Sequence, residues 1–97
     1  MTQVLYAQSA QTDLLEAWLF IAEENMPAAD RMLETIDHEA ETLSLQPKMG
    51  RTWPELGKDV RSWPTSTPYV LFYQLTHSSL TVVRVLHQAR DVGQQLF

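Results

Sequence analysis

Apolar residues recur along the first half of the chain with the spacing of two amphipathic helices. In the first repeat the apolar residues lie mostly three or four positions apart, at Leu14, Trp18, Ile21 and Ala22. Acidic residues lie mainly on the remaining face. This repeat predicts a helix that begins near residues 8–12 and ends near Asn25. After Pro27, which suits the first turn of a helix, a second apolar stripe follows: Ala29, Met32, Leu33, Ile36, Ala40 and Leu43. Two helices joined by so short a break are expected to pack as an antiparallel hairpin.

Alternating and β-rich segments characterise the second half of the chain. They predict strands at residues 60–63, 69–75 and 80–86, the last two joined by a hairpin loop at 76–79. A shorter strand is expected at residues 4–6. Residues 46–57 contain two prolines and two glycines and predict an ordered loop that Trp53 anchors to the body of the protein. The pattern also allows a helical turn at residues 91–97.

The order of these elements predicts an α+β fold. The 97 residues suffice for one domain, 1–97, in which an N-terminal strand and an α-helical hairpin pack on one face of a small antiparallel β-sheet, in the order β-α-α-β-β-β. The opposite face of the sheet is then expected to be free for partners.

The residue types that are absent exclude several kinds of site. Without cysteine the chain has no disulfide, thiol nucleophile, iron–sulfur cluster or thiolate zinc site, and a cytoplasmic location is expected. The three histidines, at positions 38, 77 and 87, lack metal-ligand spacing, so neither a metal nor another cofactor is expected. No apolar run approaches the roughly 20 residues of a membrane-spanning helix.

The distribution of charge divides the chain. Residues 1–47 contain nine acidic residues and one basic residue, whereas residues 48–97 contain six basic and three acidic residues. The net charge of −5 argues against general nucleic-acid binding, because such proteins normally carry an excess of lysine and arginine. The basic second half is therefore the expected place for contacts with an acidic macromolecule.

The segments PKMGRTWPELGKDVRSWP and YVLFYQLTHSSLTVVRVLHQARD, together with AQTDLLEAWLFIAEENMPAADRMLETI after the N-terminal strand, resemble the ParE branch of the ParE/RelE toxin superfamily. The resemblance spans nearly the whole chain. It implies the toxin of a type II toxin–antitoxin system, of the kind associated with plasmid stabilization, held inactive by a cognate antitoxin whose flexible C-terminal segment wraps the toxin, and able to form higher-order toxin–antitoxin assemblies. Toxins of this branch typically act on DNA gyrase.

Two other interpretations stay open. The RelE branch of the same fold consists of ribosome-dependent mRNA endonucleases, the one case in which direct nucleic-acid binding is expected. The acidic net charge, unusual for this group, is also compatible with an attenuated member that only binds its antitoxin. A binding-type inhibitor that is not an enzyme is favoured, because the second half of the chain shows no clear acid–base set.

Candidate site residues follow from these interpretations. The expected target-binding residues are Arg51, Arg61, Arg84, His87 and Arg90, since the arginine guanidinium suits carboxylate or phosphate groups. Strand alternation predicts Arg84 on the same face as Val82 and Leu86, where it would meet a partner or pair with an acid of the helical hairpin. In the endonuclease interpretation His87 or Tyr73 would transfer protons, and Arg61 and Arg84 would hold phosphate. The expected antitoxin-binding residues are Leu14, Trp18, Ile21 and Trp63, next to an open sheet edge that could accept a strand.

Overall fold

The computed structural model describes residues 2–91, which form two α-helices and five β-strands. The helices are α1 (Gln8–Ala22) and α2 (Met26–Leu45), and the strands are β1 (Gln3–Tyr6), β2 (Arg51–Thr52), β3 (Val60–Pro64), β4 (Tyr69–Leu75) and β5 (Ser79–His87). Single turns of 3-10 helix flank β2, at Pro47–Met49 and Pro54–Leu56. The helical turn predicted over residues 91–97 lies outside the described residues, apart from Asp91.

Both helices form where the apolar repeats predict them. The α2 helix begins with Asn25, whose side chain accepts a hydrogen bond from the amide of Ala28 at 3.0 Å, and Pro27 lies in the first turn. The α1 helix ends at Ala22, three residues before the expected end, and has no side-chain cap at its start. The polar residues near that start instead bind β5, as described below.

The sheet has the strand order β1-β5-β4-β3-β2, and the predicted α+β fold is confirmed. Strands β2 to β5 are antiparallel neighbours, but β1 pairs in parallel with β5, from Gln3 opposite Ser79 to Tyr6 opposite Val82. The sheet is therefore mixed rather than wholly antiparallel. Because almost the whole chain separates β1 from β5, no short hairpin turn imposes an antiparallel pairing on them.

The main core lies between the helical hairpin and one face of the sheet. It combines the apolar stripe of α2 with inward residues of β4 and β5, and its members are buried: Met32, Ile36, Ala40, Leu43, Tyr69, Leu71, Tyr73, Leu80, Val82 and Val85. Full burial of an aliphatic or aromatic side chain stabilises a fold by about 1.5–3 kcal/mol. This layer therefore carries most of the hydrophobic stabilisation and fixes the helices on the sheet.

The opposite face of the sheet is partly covered, contrary to the expectation that it would be free. Trp53 and Leu56, from the loop between β2 and β3, pack there against Val70, Phe72 and Leu86. The rings of Trp53 and Phe72 lie 5.9 Å apart, and the indole Nε1 donates a hydrogen bond to Ser62 Oγ at 2.8 Å. The predicted anchoring role of Trp53 is confirmed, and it is this anchor that closes part of the second face.

A β-bulge in β5 places Val82 and Arg84 on different faces of the sheet. Phe72 pairs with Arg84 but the next residue, Tyr73, pairs with Val82, so Val83 is an extra residue in β5. As a result Val82 and Val85 both belong to the core beneath the helices, whereas Leu86 belongs to the opposite cluster. The register keeps Arg84, opposite Phe72, on the same face as Leu86, as predicted. The prediction is wrong for Val82, because strict alternation assumes a strand without a bulge.

Candidate partner-binding surfaces

An apolar groove runs between strand β1 and helix α1. It has a volume of about 600 Å³ and is lined by residues of β1, α1 and α2: Val4, Leu5, Tyr6, Gln11, Leu14, Leu15, Trp18 and Leu33. Leu5 and Leu15 are 41% and 59% exposed at its rim. Large apolar side chains exposed next to a concave surface are typical of a protein-binding site.

Two hydrogen bonds to α2 fix the aromatic residues of this groove. Trp18 Nε1 donates to Asp30 Oδ1 at 2.9 Å, and the Tyr6 hydroxyl donates to Asp37 Oδ1 at 2.8 Å. Burial, together with the hydrogen bond to Asp37, raises the pKa of the Tyr6 phenol above its ordinary value, so this hydroxyl remains a donor. The groove is thus pre-formed, with carboxylates of α2 against its wall.

The outer edge of β1 offers backbone groups for strand addition. The amide of Gln3 donates to the carbonyl of Ser78, just before β5, and the amide of Ala7 donates to the carbonyl of Val82 in β5. The backbone N–H and C=O groups of Val4 and Tyr6 therefore point away from β5. Tyr6 O already accepts a hydrogen bond from Gln11 Nε2 at 3.0 Å. The open stretch is therefore short and ends at Tyr6, directly beside the groove.

The structure brings together only some of the residues predicted to bind an antitoxin. Leu14 and Trp18 line the groove, whereas Ile21 packs against the main core. Trp63 belongs to β3, three strands away from β1, and its Nε1 donates to Glu39 Oε1 of α2 at 3.2 Å. Trp63 therefore lies outside the groove and connects the sheet to α2.

Exposed apolar residues of α1 were missed by the sequence reasoning. Leu15, Leu19 and Phe20 are 59%, 52% and 60% exposed. For Leu19 and Phe20, the sequence did indicate exposure, because the apolar run from residue 17 to 22 is unbroken and cannot all face one core on a surface helix. This run gives α1 a second apolar face.

The start of α1 covers the edge of β5 beyond the end of β1. Asp13 accepts two hydrogen bonds from Arg84, from Nε at 2.7 Å and Nη2 at 3.1 Å, and a third from the amide of Val85 at 2.9 Å. Ser9 Oγ donates to the Val83 carbonyl at 2.6 Å. The carboxylate of Asp13 raises the pKa of the Arg84 guanidinium. Of the two alternatives for Arg84, pairing with an acid of the hairpin is the one that the structure shows.

His87 and Arg90 belong to a turn that follows β5. The Asp91 carboxylate accepts a hydrogen bond from the His87 amide at 3.1 Å and another from Arg90 Nε at 3.2 Å. Burial alone would raise the pKa of Asp91, but these hydrogen bonds and the charge of Arg90 lower it below its ordinary value. The His87 imidazole accepts the Arg90 amide at Nδ1, while the Arg90 side chain lies 51% exposed over the ring of Phe20. Arg90 is thus oriented yet accessible.

Arg61 and Tyr73 hold the loop before β2. Arg61 Nη1 donates to the carbonyls of Lys48 and Gly50 at 3.2 and 3.0 Å. The Tyr73 hydroxyl donates to the Pro47 carbonyl at 2.8 Å and accepts the Gly50 amide at 3.1 Å. Burial raises the pKa of Tyr73 above its ordinary value, although the Gly50 amide and the charge of Arg61 partly oppose this. With its ring buried and its hydroxyl engaged in both directions, Tyr73 is placed as a structural residue.

The predicted target-binding residues do not form one cluster. Arg51 is exposed in β2 and its guanidinium lies 4.3 Å from the centre of the Trp53 ring. The register places Arg51, Ser62, Phe72 and Arg84 in one row across four strands, so about 14 Å separates the two arginine backbones. Arg51 and Arg90 are accessible, whereas Arg61 and Arg84 are used within the fold.

Two further findings concern residues 2–91 as a whole. Neither helix in this range combines the length and apolar content that crossing a bilayer requires. Within the same range no three histidine or carboxylate side chains come together as metal ligands.

Comparisons with known proteins agree on one family. A family model described as "ParE toxin of type II toxin-antitoxin system, parDE" matches residues 4–92. Two similar proteins, each named Toxin ParE1, come from Mycobacterium tuberculosis strains CDC 1551 and H37Rv, and each is 29% identical over 97 residues, covering 98% of this chain and 98% of the relative. A solved structure, "Chromosomal ParDE TA system from P. aeruginosa", matches with a TM-score of 0.74 and 16% identity over 90% of this chain and 96% of that chain.

Proposed function

Because this chain belongs to the ParE toxin family of type II toxin–antitoxin systems, we propose that it acts by binding and inhibiting DNA gyrase, and that a cognate antitoxin neutralises it. The match to the family model over residues 4–92 is the observation that carries this proposal. The described surfaces support a division of labour, in which the groove between β1 and α1 receives the antitoxin and the accessible arginines receive the target.

The positions of Tyr73, Arg84 and His87 support a binding protein over a ribonuclease. A general acid or base must come within hydrogen-bond reach of the reacting group. Tyr73 is buried and its hydroxyl has two backbone partners, Arg84 is held by Asp13, and Nδ1 of His87 accepts a backbone amide. Among the described residues, no hydrogen bond joins any two of these three side chains. We therefore favour inhibition by contact.

The antitoxin surface of this proposal is the groove with the adjoining edge of β1. The similar structure from P. aeruginosa is described as a ParDE system, which supports a toxin–antitoxin complex for this chain as well. Leu5, Leu15 and Trp18 supply apolar surface, and the outward backbone of Val4 can pair with an added strand. Apolar contact would give affinity, and pairing with β1 would fix the position of the antitoxin segment along the strand.

The target surface of this proposal comprises Arg90 and Arg51. Both guanidinium groups lie over an aromatic ring, Phe20 and Trp53 respectively, which orients them without burying their hydrogen-bond donors. Arginines oriented in this way are frequent energetic centres of protein interfaces. Arg61 and Arg84 would contribute indirectly, by holding the backbone in place.

The test is a gyrase supercoiling and DNA-cleavage assay with purified protein. Wild-type protein is expected to inhibit supercoiling, and Arg90→Ala to weaken inhibition by about tenfold, the effect of losing one interface arginine worth roughly 1.4 kcal/mol. Arg31→Ala, which removes an exposed arginine of α2, is the matched control and should behave as wild type. Gyrase activity that is unchanged at excess protein would refute the proposed target.

A growth assay separates the two surfaces. Induced wild-type protein is expected to arrest growth, and co-expressed antitoxin to restore it. Leu15→Asp places a charge at the rim of the groove and should keep the arrest while losing the rescue, whereas Arg90→Ala should lose the arrest. Growth that continues on induction would instead favour the attenuated member, and new cuts in ribosome-bound mRNA would favour the endonuclease.

A further inference from the structure

Helix α2 presents a line of four carboxylates beside the groove. They are spaced so that all lie on one side of the helix, and all four residues are exposed: Asp30, Glu34, Asp37 and Glu41. At 1.5 Å per residue, the line is about 16 Å long. We call these four residues the acidic stripe.

Two hydrogen bonds and one electrostatic interaction place the acidic stripe against the wall of the groove. Asp30 and Asp37 accept hydrogen bonds from Trp18 and Tyr6, two residues that line the groove. The charge of Glu41 also acts on the Tyr6 phenol. An occupant of the groove that contacts Trp18 and Tyr6 therefore lies alongside the stripe.

Building on the proposed antitoxin surface, we infer that the antitoxin segment that fills this groove is basic. Its lysine or arginine residues would lie next to the apolar residues that enter the groove. Its cations would recur every three or four residues in a helix, or every second residue in a strand, since both spacings are close to the separation of successive acids, about 4.5–6 Å along the helix. An acidic segment would bring like charges together along the whole stripe. The charge of this toxin thus sets the charge of its partner.

Charge also decides against two other occupants. A second copy of the chain, docked by the same face, would place two acidic stripes near each other, because a two-fold interface uses the same surface twice. The residues after Asp91, VGQQLF, contain no basic side chain that could neutralise the stripe. A separate basic segment is the occupant that satisfies both the apolar groove and the carboxylates.

The test uses a displayed library of 20-residue peptides. Their apolar residues are fixed at helical or alternating spacing, and each remaining position is Lys, Glu or Gln. Sorting against the wild-type protein at 0.1 M salt is expected to enrich Lys beside the apolar positions. Binding of the enriched peptides should weaken by about tenfold at 1 M salt, where the Debye length falls from about 10 Å to about 3 Å.

Two double variants with the same change in net charge provide the decisive comparison. Glu34→Gln with Glu41→Gln removes half of the stripe and should weaken the enriched peptides by about three- to tenfold. Neither of these side chains has a hydrogen bond or ion pair among the described residues, so the fold should be unaffected. Glu23→Gln with Glu24→Gln, just after α1, removes two exposed acids that do not belong to the stripe and should change binding by less than twofold.

The outcomes distinguish this inference from the proposed function. Enrichment of Glu, equal use of Lys and Glu, or equal weakening by the two double variants would overturn the charge inference while leaving the groove as the antitoxin surface. Enriched peptides that bind Leu15→Asp as well as wild type, or no enrichment at all, would overturn the groove as the docking site. The gyrase assay and the growth arrest on induction test the proposed target, and neither depends on the groove.

Discussion

Removal of the Asp13 carboxylate is expected to destabilise the protein strongly, because three hydrogen bonds converge on it. Asp13→Ala leaves the Arg84 guanidinium without its anion and the Val85 amide without an acceptor. Arg84→Met has a milder effect, since the carboxylate keeps the Val85 amide and the methionine can still cover the edge of β5. The pair therefore connects helix α1 to a strand that lies 71 positions further along the chain.

The exposed fractions of the two side chains determine how much stability each substitution is expected to cost. Arg84 and Asp13 are 18% and 11% exposed, so the pair is partly buried and lies between a surface ion pair and a fully buried one. Breaking a buried pair costs about 3–5 kcal/mol and an exposed one about 0–1 kcal/mol. We expect about 3 kcal/mol for Asp13→Ala and about 1.5 kcal/mol for Arg84→Met, with a coupling energy of about 1–3 kcal/mol.

Urea unfolding of the wild type, the two single variants and the double variant measures this coupling directly. In a domain of this size, about 3 kcal/mol corresponds to a decrease in Tm of roughly 12–24 °C, which thermal unfolding can check. A coupling energy below about 0.5 kcal/mol would show that the pair does not stabilise the fold. In that case Arg84 would return to the set of residues available for a target.

Three further predictions concern the loop before β2 and the contact between α2 and the turn after β3. Gly50→Ala should lower the free energy of unfolding by about 1–3 kcal/mol, because the new Cβ would clash with the Tyr73 hydroxyl and lie 2.7 Å from the Ser62 carbonyl oxygen; wild-type stability in urea would contradict this. Tyr73→Phe loses two backbone hydrogen bonds and should cost about 1–3 kcal/mol while gyrase inhibition persists, and loss of inhibition in a folded variant would refute its structural role. Burial opposes ionisation of Glu39, but hydrogen bonds led by the Ser66 amide lower its pKa below the ordinary value. The ionised Glu39 side chain therefore stabilises the fold above the ordinary pKa, and this stabilisation is lost as the pH falls through the lowered pKa. Below about pH 5 the wild type should therefore lose stability more steeply than Glu39→Gln, and parallel pH profiles would exclude this contribution.

Local patterns predicted most of the fold, because its elements are encoded within short segments. The second helix is the clearest case, since Asn25 and Pro27 mark its start and Ile36 belongs to a regular apolar stripe. The parallel pairing of β1 and the bulge at Val83 could not be predicted in the same way. Both depend on how distant strands meet, and neither leaves a periodic signal in the sequence.

The candidate site was predicted only in part, for a related reason. Residue type identified arginine as the useful donor, but whether a guanidinium is free depends on its neighbours in space. Asp13 lies 71 positions before Arg84 and shares no local motif with it. Likewise the apolar repeat predicted for α1 does not include Leu15, and only its exposure beside β1 identifies it as a residue of the groove rim. The family resemblance was confirmed because it rests on order and spacing along the whole chain.

The short edge of β1 has a consequence for self-association. Exposed sheet edges can template the growth of fibres when each added strand offers a new edge of equal length. Here Gln11 closes one end of a four-residue strand, and the opposite edge of the sheet is a strand of only two residues, Arg51–Thr52. If a second copy paired with β1, the far edge of its sheet would be this two-residue strand, which is too short to pair with the β1 of a third copy. Growth through the sheet edges therefore stops. A short open edge of this kind can accept one partner strand without supporting polymerisation.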